Sequence, residues 1–107
     1  VDLSLASATC ERSAEGQKAC LRKTFALESC DELNPIGSMY KDSDTGFAHL
    51  TAFDATEACR DEIVSSAVGR GFIEQQDGQF ARDFGEGYRE LLTVSDNGTL
   101  QWEREQQ

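Results

Sequence analysis

The chain has 107 residues, 38% of them hydrophobic, which suits a single small domain over 1–107 with one modest core. Ten Lys and Arg stand against twenty Asp and Glu, a net charge of -10 that repels phosphate backbones and anionic bilayers. Nucleic acid and membrane are therefore excluded as partners, no apolar run nears the roughly 20 residues that cross a bilayer, and another protein, preferably a basic one, is expected instead.

The charge is uneven along the chain: +1 over residues 1–27, -7 over 28–62 and -4 over 63–107. No basic region followed by an apolar stretch opens the sequence, so Val1-Asp2-Leu3-Ser4 is read as the start of a mature chain whose signal peptide has been cleaved. Four cysteines, Cys10, Cys20, Cys30 and Cys59, support the same route. Their number is even, their spacing lacks the close pair of a zinc site, and small domains with marginal cores are stapled by disulfides in oxidising compartments. Two disulfides and a secreted or periplasmic location are expected, with no metal and no cofactor.

Residues 9–25 admit two readings. Cys10, Ala14, Leu21 and Phe25 share a helical face that Thr9 or Ser13 could cap, whereas Ala19, Leu21, Phe25 and Leu27 alternate like a strand. The helix is favoured because a strand would put Lys23 in the apolar row. A helix through both positions separates Cys10 from Cys20 by about 15 Å, too far for a disulfide, and directs them to Cys30 and Cys59 in an order the sequence leaves open. Residues 33–46, with the only proline and several turn formers, read as a loop. Within it Asp42-Ser43-Asp44-Thr45-Gly46 misses the calcium-loop order, because Gly46 falls at position 5 and Phe53 at position 12.

Residues 47–53 read as a strand. A long amphipathic helix is expected over about 54–68: Asp54 and Glu57 form a capping-box pair, Ala55, Cys59, Ile63 and Ala67 recur every fourth residue, and Gly69 ends the pattern. The period then changes to two. Asp77-Gly78 and Asn97-Gly98 are hairpin turns between short alternating runs, which gives a four-stranded antiparallel meander. The predicted fold is α+β: the 54–68 helix and a second near 9–25 on a four- to five-stranded antiparallel sheet.

No catalytic motif stands out. His49, the one histidine, lies between Ala48 and Leu50 in an apolar strand, and that placement favours a structural role. The enzymatic alternative is a small secreted hydrolase, ribonuclease- or glycosidase-like, using His49 with a carboxylate and Arg82 or Arg89. Asn97-Gly98-Thr99 is an N-glycosylation acceptor sequence as well as a turn. Trp102 is assigned to the core. Asp83, Phe84, Glu86 and Tyr88, around two flexible glycines, form the candidate binding patch, with both aromatics expected to be exposed. The function read from these features is a non-enzymatic protein-binding domain: an inhibitor, immunity factor or effector that acts on a partner protein.

Overall fold

The structure, a computed structural model, describes residues 13–28, 30, 32–85 and 87–106. Over these residues it is α+β, with two helices on a six-stranded sheet. Helix α1 spans Ala14–Thr24, and strands β1 and β2 span Leu33–Ser43 and Gly46–Ala55. Helix α2 spans Glu57–Gly69, followed by β3 (Ile73–Gln76), β4 (Gln79–Gly85), β5 (Tyr88–Val94) and β6 (Thr99–Gln106). Every strand pairing is antiparallel, in the order β1-β2-β6-β5-β4-β3. The expected meander is therefore present as β3 to β6, and its last strand zips onto β2 to join the β1–β2 hairpin.

Helix α1 is capped by Ser13, whose hydroxyl accepts from the Gly16 N–H at 3.1 Å, with Arg22 and Lys23 in the last turn facing the negative end of the helix dipole. Its C-terminus is a Schellman motif: Leu27 N–H donates to Arg22 C=O, Ala26 N–H donates to Lys23 C=O, and Ala26 takes φ +51°. The predicted helix thus exists but begins at Ala14, four residues after Cys10, so the separation argument over the Cys10–Cys20 span does not apply. Cys10 lies outside the described residues.

Helix α2 has 13 residues and starts later than expected. Asp54 and Ala55 still belong to β2, and the cap is Thr56, which accepts from the Cys59 N–H at 3.3 Å. Asp54-x-x-Glu57 loses the competition because the β2 ladder to β6 runs on through Asp54, paired with Thr99. The stripe Cys59, Ile63 and Ala67 is buried as predicted.

The loop expected over 33–46 is instead β1, an edge strand. Proline is excluded from central strands but tolerated at an edge, where its missing N–H can face away from the ladder, and the register slips between Pro35 and Gly37. That strand raises the sheet from the expected four or five strands to six.

Both helices lie on one face of the sheet. Leu21 and Phe25 of α1 and Cys59, Ile63 and Ala67 of α2 share one cluster with Leu33, Phe53, Phe80, Leu92, Leu100 and Trp102 from the strands. Ser66 Oγ donates to Phe25 C=O at 2.5 Å, and the Phe25 ring meets Phe72 at 5.6 Å and Trp102 edge-on at 6.1 Å. The Cys30–Cys59 disulfide, with Cα atoms 4.8 Å apart, pins the segment before β1 to the first turn of α2. This corrects the expectation that Cys10 and Cys20 would reach Cys30 and Cys59. Cys20 is also disulfide-bonded, its partner lying outside the described residues, and no described cysteine is a free thiol.

Candidate functional site

Side chains alternate across a strand, so the registers define rows that run across the sheet. On the helix-covered face one row reads Tyr40, His49, Arg104, Glu90, Arg82, from β1 through β2, β6 and β5 to β4. His49, Glu90 and Arg104 are each no more than 3% exposed. Arg104 Nη2 donates to Gln17 Oε1, a buried acceptor supplied by α1, and to His49 Nδ1 at 3.2 Å. The guanidinium carbon lies 4.1 Å from the centroid of the Trp102 ring, and Trp102 Nε1 donates to Glu90 Oε2 at 3.0 Å. Burial is the largest influence on both charges. It pushes the Glu90 carboxyl up against the opposing pull of the Trp102 N–H, Arg104 and Arg82, and it pushes Arg104 down against Tyr88, Glu90 and Tyr40.

This row bears on the hydrolase alternative. Ser38 Oγ lies 2.7 Å from His49 Nε2 and 3.2 Å from Thr51 Oγ1. Arg104 has only donors, so His49 Nδ1 must accept, and the proton of the neutral ring then sits on Nε2. The ring donates to Ser38, and the Ser38 hydroxyl is left to donate to Thr51. A general base needs the reverse polarity, with a free lone pair aimed at the hydroxyl. The two arginines of that alternative are also split: Arg82 lies in the buried row with Glu90, while Arg89 is on the opposite face across from Asp83 and Glu105.

No helix covers that opposite face among the described residues. One row there crosses all six strands: Ile73, Ala81, Leu91, Glu103, Leu50, Met39. Five of its six members are apolar. Its two ends are the most open, Ile73 at 66% and Met39 at 69% exposure. Glu103, on the central strand β6, interrupts it. Partial burial first, and the neighbouring Glu105 second, push the Glu103 carboxyl up, with Arg89 pulling it back. The next row on one side is ionic, Asp83, Arg89, Glu105, Ala48, Lys41, and the next on the other is polar and small, Gln79, Thr93, Gln101, Ala52, Gly37. An apolar stripe thus runs transversely over the uncovered sheet, with a carboxylate at its middle and charges along one flank.

The predicted binding patch is divided by this geometry. Asp83 is exposed on the uncovered face, its Oδ1 accepting from the Gly85 N–H at 2.8 Å. Tyr88, expected to be exposed, is buried at 1% and packs 6.4 Å from Phe47, because it shares the parity of Glu90 and Leu92 on β5. Glu86 and the side chain of Phe84 lie outside what the structure describes. Asn97 is exposed in the β5–β6 turn, where its Oδ1 accepts from the Thr99 N–H at 3.1 Å. Asp44 and Thr45 form the tight turn between β1 and β2.

Sequence reasoning missed Gln17, Glu90, Arg104 and the transverse row. One signal was available for Arg104: in Leu100-x-Trp102-x-Arg104 a charge occupies the parity of the core, which calls for a buried partner. The transverse row leaves no such trace, since it needs the β2–β6 register. No family model, no curated protein and no solved structure matches the chain.

Proposed function

We propose that this chain is a secreted or periplasmic, non-enzymatic protein-binding domain that acts by occluding a partner, and that the uncovered sheet face is its contact surface. The observation that carries the reading is the transverse row, in which apolar side chains from five strands line up on a face that no helix covers among the described residues. The row is open at its two ends, Ile73 and Met39, half-buried at Leu91 and Leu50 and buried at Ala81, and apolar side chains aligned on one sheet face are what a contact surface would use. Acidity adds a preference for a basic partner, and Asp83 of the predicted patch belongs to this face. The disulfides support an oxidising compartment.

The test is site-specific photo-crosslinking in the fluid into which the source organism releases the chain. A photoreactive residue is placed at Met39 or Ile73, and, as control, at Val68, which is 55% exposed on α2. A discrete adduct from Met39 and Ile73 but not from Val68 is expected. Adducts from Val68 alone, or from none of the three, would refute the surface. A hydrolytic activity on RNA, peptidoglycan or glycans that His49→Ala abolishes without loss of fold would replace the binding reading by the enzymatic one.

A further inference from the structure

We infer that the occupant of the uncovered face is a cationic amphipathic helix of the partner, lying along the transverse row with a Lys or Arg against Glu103. This rests on the binding reading above and specifies the partner's chemistry.

Dimensions favour a helix. Six strands at about 4.8 Å spacing make the row about 24 Å long, a little over four helical turns or about 16 residues. The chain already uses this solution on the covered face. Helix α2 leaves β2, the second strand of the sheet, and delivers the chain to β3, the sixth, so its 13 residues must cross the strands rather than follow them. A strand added at the β1 edge would run along β1 and meet the row only at Met39.

Charge selects a cation. Among the described residues the uncovered face carries four carboxylates, Asp54, Asp83, Glu103 and Glu105, against two cations, Lys41 and Arg89. A second copy stacked face to face would set two chains of net charge -10 against each other and bring carboxylate-rich surfaces together. A partner helix with a base in the middle of its apolar stripe instead answers Glu103 where desolvation already works against that carboxylate's ionised form. The flanks orient it about its own axis: further basic residues belong over Asp83 and Glu105, small or polar ones over Gln79, Thr93 and Gln101.

The probe is a synthetic Leu/Lys peptide of about 18 residues, patterned as an amphipathic helix with one Lys at the centre of its apolar stripe. An isomer of scrambled order serves as control. Binding to the whole oxidised domain is measured by titration calorimetry and by amide chemical shifts. The patterned peptide should bind, shift the amides of Ile73, Ala81, Leu91, Leu50 and Met39, and bind Glu103→Lys at least about tenfold more weakly. Glu57→Lys makes the same change of net charge at the exposed start of α2 and should alter affinity by less than about threefold. Ile73→Asp, at an exposed end of the row, weakens binding with little strain on the fold. Equal loss with Glu103→Lys and Glu57→Lys, equal binding of the scrambled isomer, or shifts confined to the helices would overturn the inference. If the peptide fails while adducts still form at Met39 and Ile73, the helical partner is wrong and the contact face stands; if the adducts are absent too, both fall.

Discussion

Replacing Arg104 by Met should cost this domain at least about 3 kcal/mol. Arg104 is 1% exposed and cross-strand from Glu90, which is 2% exposed. Met preserves most of the buried stem, so the loss is electrostatic and hydrogen-bonding rather than a cavity. Removing one member of a buried charge pair typically costs about 3–5 kcal/mol, because the remaining charge stays buried without its counter-charge. Here the Gln17 and His49 acceptors lose a donor as well. At about 4–8 °C per kcal/mol for a domain near this size, the melting temperature should fall by at least about 12 °C. Adding Glu90→Gln to Arg104→Met removes the stranded carboxylate while keeping an oxygen for the Trp102 N–H, and should restore about 1–2 kcal/mol. The assay is urea unfolding followed by fluorescence of Trp102, the only tryptophan, which packs against both residues. A single-variant cost below about 1 kcal/mol, or a double variant that is simply additive, would refute the claim that this pair acts as a unit.

Cys30→Ser with Cys59→Ser removes a cross-link between residues 29 apart and should cost about 3–4 kcal/mol by the loop-entropy relation, read as a drop in urea midpoint. With Cys30 and Cys59 bonded to each other, Cys10 is the one cysteine in the chain left for Cys20, and peptide mapping should find that pair. Gly78→Ala should cost at least about 2 kcal/mol, since a Cβ there would sit 2.5 Å from Val94 O at φ +79°; an unchanged melt would contradict the turn geometry. Ala26→Gly should raise stability by about 0.5–1 kcal/mol, because Ala26 holds φ +51° at the helix C-terminus where Gly carries no steric penalty. Glu90 gives a pH signature: its folded-state value is raised above 4.5, so the folded chain binds the proton more readily than the unfolded one. Its contribution is fully present below the unfolded value and is lost as pH rises through the folded one. The stability of the wild type relative to Glu90→Gln should therefore increase on acidification from neutrality towards pH 4.5, and a decrease would reverse the sign.

Local signals were legible and non-local ones were not. Asp77-Gly78 and Asn97-Gly98 pair β3 with β4 and β5 with β6 through turns that need positive φ at Gly78 and Gly98, and each can be read from two residues. Cys59, Ile63 and Ala67 announce a buried helical face whatever it packs on. Strand β1 was hidden because Pro35, Gly37 and Ser43 are turn formers by composition, and only the presence of β2 beside them makes an edge strand of the segment. The site was hidden for the same reason. Leu50 and Glu103 become neighbours only when β2 and β6 pair across half the chain, and no turn connects those strands.

At one level of the sheet the usual distribution is inverted. The row facing the helices holds His49, Arg104 and Glu90, while the adjacent residues Leu50, Glu103 and Leu91 form the row facing out. Shifting the strands by one residue would bury Leu50, Leu91 and Met39 together with Glu103 and release His49, Arg104 and Glu90 to water, so hydrophobicity at this level alone favours the wrong face. Two things oppose that slip. Further along the same strands Phe53, Leu100, Trp102 and Leu92 are fully buried and would be expelled by it. The Arg104 hydrogen bonds, to Gln17 of α1 and to His49 of β2, depend on the observed register. A buried ionic row of this kind is poor value as stabilisation and effective as a specifier of register. It fixes the face on which the apolar row emerges, the face that neither described helix covers.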